Sequence, residues 1–344
     1  MDLDGDGQQD LLSGSWPGEL FFFRGNGKGD FEAPVKLKDK NNKTINIGGG
    51  IKKEPDGSLL ITGDGKFEPR EGGGHVIVYD GQRIEVRPGT EAGITGTASA
   101  VHAYDYDADG DYDLLVGDIR GNVYLVPNEG SKTKWAFGKE QPLKAGDAAV
   151  TVAGDAGPFV ADWDGDGKKD LLVGAGDGSV WLYRNTAERG THLAAGRQLL
   201  PPAVEAQGPD MPSVPTRGTR SKVCAADWNG DGRLDLLVGD FAYQKPRPVE
   251  LTAEQKAEHD KLRAELAPLE KRYQELAQRY FESRGKKDMK PEDREKLQKE
   301  FGEASTKMYA VRQKLPPEYE NHGWVWLFLR KPDNAAASAG ASAR

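Results

Sequence analysis

One pattern occurs four times in the 344 residues, and it restricts the chain to folds built by repetition. Its copies are Asp2-Leu-Asp-Gly-Asp-Gly-Gln-Gln-Asp10-Leu-Leu-Ser-Gly14 and Asp105-Tyr-Asp-Ala-Asp-Gly-Asp-Tyr-Asp113-Leu-Leu-Val-Gly117. Asp162-Trp-Asp-Gly-Asp-Gly-Lys-Lys-Asp170-Leu-Leu-Val-Gly174 and Asp227-Trp-Asn-Gly-Asp-Gly-Arg-Leu-Asp235-Leu-Leu-Val-Gly239 complete the set. The last three copies start 57 and 65 residues apart, and the first gap of 103 is close to two periods. A degenerate copy is expected inside that gap. Asp56 to Asp64 fits it, with Leu59-Leu60-Ile61 matching Leu114-Leu115-Val116 but without the acidic loop.

Each acidic loop leads into a short apolar run rich in strand formers. A tight-turn signal such as Asp177-Gly178 follows, then a second strand such as Ser179-Val-Trp-Leu-Tyr-Arg184. Its counterparts are Glu19–Arg24, His75–Tyr79 and Asn122–Val126. A further strand precedes each loop, over Ala98–Tyr104, Pro158–Ala161 and Lys222–Ala226. The unit is a small antiparallel sheet of about 55–60 residues, the size and period of a propeller blade. The reading is an all-β propeller with about five blades visible. The first repeat lacks its leading strand, which reads as a fragment or a misplaced start and leaves blade number and ring closure open.

Composition agrees. Glycine (44) and proline (20) are abundant and only 37% of residues are hydrophobic, as in a turn-rich β chain. A formal charge of -8 argues against nucleic-acid binding as the main role. No run approaches the ~20 apolar residues of a membrane span. A single cysteine, Cys224, excludes an internal disulfide framework; placed on an inner strand, it reads as a small core residue. No signal peptide opens the sequence as given.

The last repeat is interrupted. The strand expected soon after Gly239 appears only at Gly323–Arg330, some 80 residues later. Between them, Leu262, Leu266, Leu269, Tyr273, Leu276 and Tyr280 are spaced as one helical seam, and Leu297, Phe301, Ala304, Met308, Val311 and Leu315 as another. Arg284–Pro291 separates them, Thr252 is placed as an N-cap, and Pro268 should kink or split the first helix. The organisation is therefore propeller blades over 1–248, an inserted helical hairpin over 249–318, a final propeller strand over 319–332 and a disordered Ala/Ser-rich tail over 333–344. The hairpin is either a lid packed on the propeller or a partner-binding or oligomerising arm.

The loops carry the chemistry. Side-chain oxygens recur at loop positions 1, 3, 5 and 9: Asp2, Asp4, Asp6 and Asp10; Asp105, Asp107, Asp109 and Asp113; Asp162, Asp164, Asp166 and Asp170; Asp227, Asn229, Asp231 and Asp235. A backbone carbonyl is expected at position 7, from Gln8, Asp111, Lys168 and Arg233. Two carboxylates ~4 Å apart repel by about 4 kcal/mol at an effective dielectric of 20, so either a cation or an open, disordered loop must relieve them. Hard oxygens in a flexible loop suit calcium better than magnesium. Up to four Ca2+ ions would offset the formal charge of -8. This is not an EF-hand, because position 12 is Ser13, Val116, Val173 or Val238 instead of glutamate. Asn229 removes one charge, so the fourth loop should bind most weakly.

These residues resemble the FG-GAP/VCBS repeats of integrin-α-like β-propellers, over about residues 1–248 and 323–332, and within them an uncharacterised bacterial VCBS-repeat subgroup. The resemblance implies calcium at the loop aspartates and an exported, extracytoplasmic protein. It implies nothing for the hairpin. The function expected is a non-catalytic, calcium-stabilised module that binds a protein or glycan. Two alternatives are a propeller-based polysaccharide lyase or hydrolase and a scaffold that oligomerises through the hairpin. The histidines, His75, His102, His192, His259 and His322, lie in no catalytic or metal-ligand spacing and read as surface or packing residues. Tyr106, Trp163 and Trp228 share loop position 2 and read as packing between blades, with an aromatic sugar platform as the alternative.

Overall fold

The computed structural model describes the chain except residues 54–58, 63–64, 70–74, 80–81, 87–91, 98, 205–210, 285–288 and 332–344. The described residues are mostly β, with seven separate small sheets and two helices among them. The residues divide into two compact units. One holds the sheets, and the other is built on Tyr243–Asn321.

Four of the sheets are the repeats. In the third, strands Gly157–Ala161, Asp170–Gly174, Val180–Tyr183 and Arg197–Leu200 lie in chain order, each antiparallel to the next. Gly178 adopts φ +85° at the hairpin turn, and the Ser179 N–H donates to Asp177 Oδ1 at 2.8 Å. The second sheet repeats this order with Ala100–Tyr104, Asp113–Gly117, Val123–Val126 and Gln141–Pro142. The first has three strands, Leu11–Gly14, Leu20–Phe23 and Val35–Lys36, without the leading one. In the fourth, Thr219–Ala226 pairs with Asp235–Gln244, and Val325–Phe328 pairs with the latter across the insertion, as Leu236↔Phe328 and Val238↔Trp326.

Alternate residues of a strand face opposite sides, so each sheet has two apolar faces to cover. The repeats cover them by stacking. Leu20 and Phe22 of the first sheet pack on Leu114, Val116 and Val126 of the second. Leu115 and Val123 pack on Leu171 and Val173 of the third. Leu172, Val180 and Leu182 pack on Leu236 and Val238 of the fourth. The free face of the fourth sheet leaves Val325 72%, Leu329 54% and Leu327 40% exposed. Cys224 pairs with Leu237 and is also exposed, so it is not a core residue. Its strand is buried on the other face alone.

Loop position 2 follows the same stacking. Leu3 is fully buried and Trp163 is 8% exposed, whereas Trp228 on the fourth sheet is 63% exposed. Trp163 packs with Leu236 and Val238, and Arg330 of the fourth sheet lies 5.2 Å above its ring. Trp163→Ala should therefore cost about 3–5 kcal/mol and Trp228→Ala less than about 1 kcal/mol, as read by urea denaturation. Equal costs would contradict this packing.

The segment read as a degenerate copy differs. Leu59–Thr62 forms a strand, but it pairs antiparallel with Gly50–Lys53 and parallel with Ala92–Thr95. Lys66–Pro69, His75–Tyr79 and Gln82–Val86 make a separate three-stranded sheet. Ile61, Ile77 and Val86 form their own small core. The first and second repeat sheets pack directly on each other, with the Ser99 N–H bonded to the Ser15 carbonyl at 3.1 Å. This segment is thus an insertion between two neighbouring sheets. Its Asp56–Ser58 portion lies outside the described residues.

The second unit contains α1 (Ala253–Arg284) and α2 (Pro291–Arg312). Thr252 and Gln255 exchange hydrogen bonds as a capping box, at 2.9 and 3.2 Å. Leu266, Met308 and Val311 form the seam with Leu262, Leu269, Tyr273 and Leu315. α1 continues through Pro268 and is not split there. The apolar seam on both sides of the proline holds the helix together although one backbone bond is lost. No helix among the described residues is long and apolar enough to cross a membrane. The break at 285–288 and the expected tail at 333–344 lie outside the described residues.

Candidate metal centre

In the second, third and fourth sheets the acidic loop joins the leading strand to the next strand, and in the first it runs directly into Leu11–Gly14. Positions 4 and 6 adopt left-handed backbone: Gly5 and Gly7, Ala108 and Gly110, Gly165 and Gly167, Gly230 and Gly232 all have φ between +64° and +101°. Only Ala108 carries a Cβ there, against its conformational preference. In all four loops the position-5 carboxylate accepts the N–H of position 7, at 2.8–3.1 Å. These turns curl the loop and turn its acidic side chains towards one another.

Three loops assemble a group of carboxylates whose oxygens lie within 4.8 Å of one another: Asp2, Asp4 and Asp6; Asp105, Asp107 and Asp113; Asp162, Asp164 and Asp166. Among the described residues, Asp227, Asp231 and Asp235 of the fourth loop form no such group. Asp109 and Asp111 stand outside the group of the second loop. The oxygens fit a hard cation. Asp2 Oδ1, Asp164 Oδ1 and Asp111 Oδ1 are buried without a hydrogen-bond partner. Burial raises Asp111 above the usual carboxylate range, and the charges of Asp109 and Asp107 add to it.

Position 9 has a distinct role. Asp10, Asp113, Asp170 and Asp235 are 0–6% exposed, the most buried acids of the loops apart from Asp111. One oxygen of each accepts the N–H of loop position 2, from Leu3, Tyr106, Trp163 or Trp228, at 2.8–3.2 Å. The other accepts an N–H just beyond the partner strand, from Gly25, Asn128, Asn185 or Arg330, at 2.7–2.9 Å. The side chain staples the loop to the end of the hairpin. Only Asp113 also joins a carboxylate group. Burial pushes Asp113 up to about 6, against the pull of its two N–H donors, with Asp107 and Asp111 adding to the rise. Asp170 is raised for the same first reason, with Asp164 adding.

Basic side chains reach the loops from outside the motif. Arg24, at the end of the second strand of the first sheet, pairs with Asp4 at 2.5 Å, and Lys132 pairs with Asp2 at 3.2 Å. Arg184, at the same place in the third sheet, pairs with Asp164 and lies 3.5 Å from Asp166. The motif gave no sign of these partners. The one available signal was an arginine closing both Glu19–Arg24 and Ser179–Arg184. His102 packs against Phe159 with ring centres 4.9 Å apart, and burial lowers its pKa to about 4. It is a neutral residue packed between the second and third sheets.

Residues 105–173 and 162–238 match the family model described as FG-GAP-like repeat. Among curated proteins nothing matches the chain. Among solved structures the chain is similar to an Agrocybe aegerita lectin described for specific recognition of non-reducing terminal N-acetylglucosamine. The identity is 16%, over 69% of this chain and 58% of that one, with a TM-score of 0.30. The chain thus spans less than two thirds of that lectin, and so loose a likeness carries no argument.

Proposed function

We propose, from the premise that this chain carries FG-GAP-like repeats over residues 105–238, that it is a non-catalytic, calcium-stabilised binding module of propeller type acting outside the cytoplasm. The observation that supports this most is the recurrence of a carboxylate group at the same turn of three stacked sheets. Calcium would supply a multivalent positive centre to oxygens that the loop already gathers. In the first and third loops, positions 1, 3 and 5 would hold it, and in the second Asp105, Asp107 and Asp113. The position-9 staple fixes both ends of the loop, so the loop backbone is ordered around the oxygens. The ion is structural in this reading, and the ligand is a protein or a glycan held by surfaces that the ordered loops present.

Extracellular modules bind calcium at about 10⁻⁴–10⁻³ M, so calcium at ~2 mM would fill the loops. A glycan array probed in calcium and again in chelator, with a turnover screen on the same polysaccharides, tests the reading. Calcium-dependent retention without cleavage is expected. Chain cleavage that survives substitution of the loop aspartates would contradict it.

A further inference from the structure

We propose that basic side chains rank the loops for calcium. The second loop fills first, and Arg24, Lys132 and Arg184 hold the first and third loops to higher calcium. This inference rests on the calcium reading above and adds the residues that set affinity.

The repeats carry four, five, four and three loop acids in turn, and they differ sharply in their counter-ions. In the first loop Arg24 sits on Asp4 and Lys132 on Asp2. In the third, Arg184 sits between Asp164 and Asp166. In the fourth, Arg233 pairs with Asp231 at 2.6 Å. The second loop has five carboxylates, Asp105, Asp107, Asp109, Asp111 and Asp113, and among the described residues none is in an ion pair. The position that holds Arg24 and Arg184 is Pro127 there, which has no charge to offer. Arg189 reaches the second loop but donates to the Ala108 carbonyl at 3.2 Å. Asp111 is 5% exposed, and its Oδ1 has no hydrogen-bond partner.

A guanidinium on a ligand oxygen competes with an incoming cation twice. It occupies a lone pair, and it repels a like charge at contact distance. Arg24 and Arg184 are about half exposed, at 47% and 53%, so the repulsion is screened. A penalty on the order of tenfold in affinity is expected for each.

Isothermal titration of calcium into the full chain, at fixed ionic strength, tests this. The wild type should show one tight site and further sites about tenfold weaker. Asp107→Asn should weaken the tight site by about tenfold. Arg184→Gln should tighten one weak site by about tenfold, Arg24→Gln should tighten another by less because Lys132 remains, and Arg184→Lys should stay near wild type. Arg197→Gln, at an exposed arginine of the third sheet that is in no ion pair with a loop carboxylate, is the control. Calcium binding that is the same in Arg24→Gln, Arg184→Gln and Arg197→Gln would overturn this inference alone. A wild type that takes up no calcium would overturn the reading beneath it as well.

Discussion

Asp170→Ala is expected to destabilise the protein by about 3–5 kcal/mol in chelator as well as in calcium. The substitution leaves two buried backbone N–H groups, of Trp163 and Asn185, without the acceptor that now takes both. Each unsatisfied buried donor costs about 1–3 kcal/mol, and the lost side chain leaves a small cavity besides. Asp166→Asn is the contrast. It keeps an oxygen for the turn to the Lys168 N–H and removes one ligand charge, so in chelator it should shift stability by less than about 1 kcal/mol. Urea denaturation of both variants in chelator decides the matter. If Asp170→Ala is silent there and loses only its response to calcium, position 9 is a metal ligand and not a staple.

The second large effect is at the glycine that ends Leu-Leu-Val-Gly. A Cβ on Gly117 would lie 2.1 Å from the Ala156 carbonyl oxygen, and one on Gly174 would lie 2.2 Å from that of Ser221. In both cases the obstacle is the backbone of the next sheet, which cannot turn aside as a side chain can. Gly117→Ala and Gly174→Ala must push neighbouring sheets apart and should each cost about 3 kcal/mol or more. Gly239 closes the fourth sheet, and a Cβ there would have only the Lys222 carbonyl oxygen near it, at 3.8 Å. Gly239→Ala should be within about 1 kcal/mol of wild type. Similar costs at the three positions would contradict the stacking order.

The glycine shows which parts of the molecule can be read from the sequence. Its recurrence was plain, but its cause was not, because the colliding carbonyl belongs to a sheet some 40 residues further along. The strands, turns and loops of the repeats are local matters of alternation, Asp-Gly turns and acidic spacing, and they were legible. So was the return of the last sheet at Val325–Phe328, since Trp-Val-Trp-Leu-Phe repeats the chemistry of Val-Trp-Leu-Tyr. Leu59–Thr62 shows the limit of that method. Its apolar run matches Leu114–Val116, but its parallel partner Ala92–Thr95 lies about 30 residues away, and nothing local specifies that pairing. Cys224 marks a second limit. Alternation assigns a residue to a face, but whether a further sheet covers that face depends on the stack. In the loops, the ligand types were readable. The position-9 staple and the pairing of Arg24 and Arg184 were not, because the staple reaches 15 residues along the chain, or 95 in the last sheet, and each arginine pair spans 20.

The central claim is that these loops bind calcium and that the fold depends on it. A thermal melt in ~2 mM calcium, in ~2 mM magnesium and in excess chelator tests it most directly. With dissociation constants spread about a mean of ~0.1 mM, a filled loop adds about 1.8 kcal/mol on average. Three filled loops would raise Tm by on the order of 10 °C for a protein of this size. The account predicts a shift of that order in calcium and little in magnesium, which keeps its own waters and demands a stricter octahedron. Coincident melts in all three conditions would contradict it.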